Sequence, residues 1–179
     1  FQAWLGKTVV DSNLAPYKIT VHMVMALLIV VFILYLIFKT KTHFKTQRYN
    51  DYFYKILGVA LVLSLVQIIL GTQVRQFVDE QTKIIGYEKS LLLAQPELNF
   101  YMHRSMSILV LLMNTYLWYT NFKLSLGYKK INLAMGCILL EILTGILMYY
   151  FDFPLLSQPF HLVVASVLFG IQVYIFLEI

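Results

Sequence analysis

Three histidines in this chain stand where coordination chemistry is feasible. His161 follows Pro159 at the head of a long apolar run, Gln158-Pro159-Phe160-His161-Leu162-Val163-Val164-Ala165. His22 sits in a close echo of it, Pro16-Tyr17-Lys18-Ile19-Thr20-Val21-His22-Met23-Val24-Met25-Ala26, and His103 opens another apolar run. A histidine in a membrane helix is costly and faces the bundle interior or a cavity. One alone reads as a satisfied core residue; three at matched depth read as ligands. Imidazole nitrogen binds haem iron well, and two of them, from two helices, clamp the iron from both faces. The macrocycle then packs among aliphatic and aromatic side chains, while its propionates want cations near the water interface. Arg75, Arg104, Lys7 and Lys18 are on the correct side for that. Interfacial anchoring is the plainer role for such cations, and for Lys18 the better one.

The spacing around these histidines repeats. Sixteen residues separate Gly6 from His22, and sixteen separate Gly145 from His161. A polar group precedes each glycine by four, Gln2 and Glu141, and an alanine follows each histidine by four, Ala26 and Ala165. The same opening, Gln67 then Gly71, leads through a longer loop to His103. Glycine and alanine are common in membrane helices, where they permit close packing, but coincident spacings with matched histidines point to duplication, a known way to build membrane bundles. Zinc or copper fits less well, because it wants ligands clustered in one sphere and the chain has no Cys/His pair and no His-x-x-x-His. A proton relay through Glu141, mid-span and expensive, is the other rival; the match to Gln2 favours packing or hydrogen bonding there instead.

The elements that must position these residues are membrane helices. The chain has 179 residues, 60% hydrophobic and 13% charged, with a mean hydropathy of +0.73. Soluble domains carry roughly a quarter charged residues. The 13 Phe and 13 Tyr suit aromatic belts at the bilayer edges. Spans of about 20 apolar residues are required, and the pattern predicts one partial span, Phe1 to about Val10, and five whole ones. These run about Tyr17–Phe38, Tyr52–Phe77, Phe100–Tyr119, Lys130–Tyr150 and Phe160–Leu177. The polar stretch from about Val78 to Asn99 is expected at the surface, partly helical, and Asp152-Phe153-Pro154 to Pro159 is expected as a hinge. The expected fold is therefore all-α, a polytopic transmembrane helical bundle of repeated helix hairpins. It forms a single membrane domain over 1–179, incomplete at its N-terminus, with hairpins at about 1–38, 52–120 and 130–178.

Charge placement sets the orientation. One side carries Lys39, Lys41, Lys45, Arg48, Lys55, Lys123, Lys129 and Lys130 against Asp51 and Glu178. The other carries Lys7, Lys18, Arg75, Lys83, Lys89 and Arg104, balanced by Asp11, Asp79, Glu80, Glu88, Glu97 and Asp152. The first side is expected to be cytoplasmic, or matrix in a mitochondrion, so the three histidines fall at the outer helix ends. His43, in the basic inner loop, reads as solvated. No basic patch forms outside short loops, which argues against nucleic acid as a partner. The single cysteine, Cys137, lies in an apolar run and reads as a small buried hydrophobe. Bis-histidine ligation uses histidines in pairs, and His22 is left over; with Phe1 reading as the interior of a helix, this predicts a further hairpin and a fourth histidine upstream.

Gln2-Ala3-Trp4-Leu5-Gly6-Lys7-Thr8-Val9-Val10, Leu14-Ala15-Pro16, Thr20-Val21-His22-Met23-Val24-Met25-Ala26, Gly71-Thr72-Gln73-Val74-Arg75, Phe100-Tyr101-Met102-His103-Arg104 and Gln158-Pro159-Phe160-His161-Leu162 together resemble the heme A synthase family, over essentially the whole chain and in the form of Bacteroidetes-like bacteria. That family is an eight-helix protein of two four-helix halves, so the resemblance implies that this chain supplies the end of helix three through helix eight. It implies a membrane oxidoreductase that converts haem O to haem A, methyl to formyl, for terminal oxidases. It implies a permanent haem b on His103 and His161, with Arg75 and Arg104 beside it, and His22 as a ligand of the substrate haem O. Catalytic groups are expected in the part upstream, so this stretch alone is expected to be inactive. The implied surroundings are the bilayer of a bacterial inner membrane, histidines facing the periplasm, with an electron donor and room for haem O synthase or oxidase assembly partners. A b-type cytochrome that only carries electrons, or a haem-free membrane protein with histidines bonding helices together, are the competing functions.

Overall fold

The computed structural model describes residues 1–12, 15–41, 47–85 and 96–179; His43, Lys45, Gly86, Glu88 and Lys89 lie outside the described residues. The described residues form six α-helices and no strand. They are α1 (Gln2–Asp11), α2 (Pro16–Thr40), α3 (Asp51–Ile85), α4 (Leu98–Lys123), α5 (Lys130–Tyr150) and α6 (Ser157–Glu178). Pro16 opens α2, where its missing N–H costs nothing and its fixed φ suits the first turn.

Two helices reach beyond their expected spans, α3 into the stretch expected to be partly helical, each for a physical reason. α3 does not stop near Phe77 but runs on to Ile85, 35 residues in all, about 50 Å against a hydrocarbon core of about 30 Å. Its polar extension is laced at i,i+4, Gln76 donating to Glu80 at 2.6 Å and Arg75 lying 3.7 Å from Asp79. α6 begins at Ser157, so Pro159 lies inside its first turn, where no intrahelical N–H bond is required of it. The hinge is thereby shortened, and Asp152, Phe153 and Leu156 take positive φ values of 53°, 53° and 67° to turn it, a conformation uncommon outside glycine.

Helices α3, α4, α5 and α6 form a four-helix bundle in which each packs on its chain neighbour and α6 closes back on α3; α2 lies outside, against α6 and α3, with α1 on α2. α4 and α6 are therefore diagonal. Four helices, α2, α3, α5 and α6, are long and apolar enough to cross a bilayer. α4 has the length, at 26 residues, but its Asn, Ser, Thr and Tyr content keeps it less apolar than those four. The most apolar span, in α2, is only 6% buried, and its bare side chains, Leu28, Phe32, Leu36 and Ile37 among them, suit a lipid or helix environment rather than water.

The basic end of the bundle is closed by a packed cluster of Phe53, Leu57, Leu117, Leu126, Tyr128 and Ile131. Phe53 and Tyr128, 0% and 1% exposed, stack with ring centroids 5.1 Å apart. Asn121 folds the α4–α5 turn over them by accepting from Tyr128 N at 3.0 Å, and Lys130 ties α5 to the end of α6 through Glu178 at 2.7 Å. Cys137 is buried. The opposite end gathers the starts of α2, α4 and α6 with the ends of α3 and α5, as in the Phe100–Tyr149 stack at 5.8 Å and the 2.8 Å bond between Thr20 and Thr72. Removing the ring that anchors the basic end, Phe53→Ala, is expected to cost about 3 kcal/mol, read as a fall in the unfolding midpoint of the detergent-solubilised protein; an unchanged midpoint would show that the stack carries no load.

Candidate functional site

In the first two hairpins the histidine is held by the helix before it in one and the same way. Gln2 Nε2 donates to the backbone O of His22 at 3.1 Å, and Gln67 Nε2 donates to the backbone O of His103 at 3.1 Å. One turn further along, a Cβ on Gly6 would lie 3.2 Å from Cε1 of His22, and a Cβ on Gly71 would lie 3.2 Å from Cε1 of His103. Each imidazole thus rests on bare backbone, and each glutamine, on the same helix face a turn earlier, reaches the carbonyl of that residue. A carbonyl has two lone pairs, so the extra bond does not displace the helical one. Nδ1 of His22 and Nδ1 of His103 are buried with no hydrogen-bond partner.

The third hairpin departs from the pattern. Glu141 stands where the others have glutamine and has no N–H to offer a carbonyl. It turns to the ring instead, with Oε2 3.1 Å from His161 Nε2. Thr144 Oγ1 lies 2.7 Å from His161 Nδ1 and also 2.8 Å from Leu140 O and 3.0 Å from Glu141 O. In the tautomer with hydrogen on Nδ1, the hydroxyl donates to one of those carbonyls and Oγ1 accepts from Nδ1–H; in the other, the hydroxyl donates to Nδ1 and Nε2–H faces the Glu141 carboxyl. Gly145 has nothing within 4 Å of its Cβ position, because the His161 ring has moved off it onto Thr144 and Glu141.

His103 and His161 stand near the starts of the diagonal helices α4 and α6, at the same end of the bundle. His22, on α2 outside that bundle, is not part of the pair. Of the cations singled out above, Arg104 sits 5.7 Å from the ring centroid of Tyr149 and Arg75 loosely faces Asp79. Lys7 pairs with Asp11 at 2.7 Å, and Lys18 reaches Thr8 O at 3.4 Å, which suits an anchor. Thr144 escaped the sequence reading; its only signal is its place three residues after Glu141, on the same helix face. Among the described residues no group of three or more His, Cys, Asp or Glu side chains gathers as a metal site. A buried imidazole nitrogen without a partner, as at His103 Nδ1, is a donor type that haem iron takes.

A family model described as cytochrome oxidase assembly protein, COX15-CtaA, matches residues 1–173. The chain belongs to this family. It is the heme A synthase family, an oxidoreductase family that acts on haem, and with the spanning helices it makes the chain a multi-pass membrane protein. Neither the curated proteins nor the solved structures give a match.

The glycine cradles yield a contrast. Gly6→Ala and Gly71→Ala must push an imidazole aside and are expected to destabilise by about 1–3 kcal/mol. Gly145→Ala, with open space around it, is expected to be neutral or to stabilise by about 0.5–1 kcal/mol. Unfolding midpoints of the three variants in one detergent check this, and equal shifts for Gly71→Ala and Gly145→Ala would contradict it.

Proposed function

We propose that this chain carries the resident-haem site of a membrane oxidoreductase that oxidises a methyl group of haem O to a formyl, giving haem A for terminal oxidases. The observation that supports this most is the placement of His103 and His161 near the starts of the diagonal helices α4 and α6, at one end of the bundle, in a chain whose family acts in cytochrome oxidase assembly. In this reading His103 and His161 would hold a haem b, which when bound would supply one-electron transfer, and His22 would hold the substrate haem O. Arg75 and Arg104, at the same end of the bundle, are the cations for the haem propionates.

The chain's own residues do the positioning. Gln67 holds the His103 backbone and Gly71 the face of its ring. Thr144, accepting from Nδ1–H of His161, would hold the tautomer that leaves Nε2 to coordinate, as hydrogen-bond partners of metal-bound histidines do. Glu141, 3.1 Å from Nε2, would stand beside a haem held there as a hydrogen-bonding group. The basic residues of the opposite end, Lys39, Lys41, Arg48, Lys55, Lys123, Lys129 and Lys130, orient the histidine end to the periplasmic side of a bacterial inner membrane by the positive-inside rule. The electron donor and any haem O synthase or oxidase assembly partner would dock around this frame.

An electron-carrying b-type cytochrome would use the same histidine pair, and pigment extraction separates the two. Cells with the full-length protein and a source of haem O are expected to accumulate haem A, and a pool of haem O alone would end the enzyme reading. In reduced-minus-oxidised spectra of the purified protein, His103→Ala and His161→Ala are each expected to abolish the resident b-type signal, while His22→Ala keeps it. Retention of that signal in both of the first two variants would rule out the ligand pair.

A further inference from the structure

The diagonal helices α4 and α6 stand too far apart for their backbones to pack closely, yet a side-chain bond crosses between them. Gln172 Nε2 donates to Asn114 Oδ1 at 2.9 Å, and Asn114 Nδ2 donates to Val110 O at 2.8 Å. The two amides are 1% and 2% exposed, in the middle of the bundle. Asn114 comes eleven residues after His103, and Gln172 comes eleven after His161. Eleven residues make about three full turns, so on each helix the amide lies directly below the histidine, on the same face, about 16 Å deeper. The stretch between is apolar and buried at Val110 on α4 and at Val164 and Leu168 on α6.

Packing alone does not explain this pair. Two leucines would fill the same space, whereas the amides leave Gln172 Oε1 buried without a partner, a cost in an apolar interior. What an amide pair adds is direction: it accepts one separation and one rotation of the two helices and penalises others, as a single buried asparagine sets register in a coiled coil. The third histidine supplies the contrast. Eleven residues after His22 stands Ile33, 48% exposed, on a helix with no diagonal partner among the described residues.

We propose that Asn114 and Gln172 are a diagonal clamp, a pair of positioning residues that sets the spacing and rotation at which His103 and His161 ligate one haem from opposite faces. This rests on the bis-histidine reading above. The clamp acts through the helices and touches neither ligand, so its effect is on the mutual angle and distance of the two imidazoles.

The test uses the full-length protein purified with its haem and the low-spin ferric signal in electron paramagnetic resonance, whose largest g value responds to the angle between axial imidazole planes. Asn114→Leu and Gln172→Leu are each expected to shift that g value or to convert part of the signal to high spin. The exchange variant N114Q/Q172N, which keeps the total length of the bridge, is expected to retain the parent signal. Tyr52→Phe, which removes the 2.9 Å bond between Tyr52 and Tyr116 at the other end of α3 and α4, serves as a control and should leave the signal unchanged. If both leucine variants keep the parent signal and only their unfolding midpoints fall, the pair is structural and the clamp is wrong. If the leucine variants cannot be recovered folded, the exchange variant decides: the parent signal supports the clamp, and its loss overturns it. A parent protein without any low-spin haem would instead overturn the bis-histidine reading, and the clamp with it.

Discussion

The arrangement depends on a histidine ring lying against the glycine of the helix before it. A hydrocarbon interior offers no water to compensate a polar side chain, so a ligand placed there must be fixed by its neighbours before any cofactor arrives. Gly6 and Gly71 let the next helix come close enough for the imidazole to rest on backbone, and Gln2 and Gln67 reach past it to the histidine carbonyl. Ring and backbone of one residue are thus held from a single helix face. The distances agree between the two hairpins because the same five-residue element sets both.

Exchanging glutamine for glutamate at the third position changes the chemistry more than the geometry of the scaffold. An amide can bond a carbonyl; a carboxyl cannot unless protonated, and Glu141 goes to the ring nitrogen instead, with Thr144 on the other one. The paired histidines are therefore unlike. His103 is steered through its backbone and keeps Nδ1 unpartnered, while His161 is steered through both nitrogens of its ring. Under the proposed reading, one ring fixed at both nitrogens and one left adaptable would suit a cofactor that enters the bundle after the helices have formed.

Polar residues below the histidines have a related logic. α4 is the least apolar of the long helices, and Asn114 and Thr120 turn part of that polarity into the bundle, while Tyr101, Tyr116 and Tyr119 stay exposed. Interhelical hydrogen bonds in membranes are individually modest, averaging about 0.6 kcal/mol. Their use lies in choosing among arrangements that apolar packing leaves nearly equal in energy.

Much of this was legible in the chain itself. The six helices follow from apolar runs broken by polar loops, and the Gln/Glu-x-x-x-Gly opening with its returning histidine marked the three hairpins, because a helix of fixed pitch turns constant spacing into constant depth. The partly helical stretch after Phe77 continues α3 through i,i+4 pairs, and α6 begins three residues ahead of its expected start because a first-turn proline does not delay a helix. What only the tertiary structure decided is which helices face one another. Helical period places His103 above Asn114 and His161 above Gln172, but says nothing of a partner across the bundle. That α4 and α6 became the diagonal, that Gln172 met Asn114, and that Glu141 and Thr144 closed on His161 depend on the packing of four helices at once. Contacts between residues tens of positions apart leave no period in a sequence.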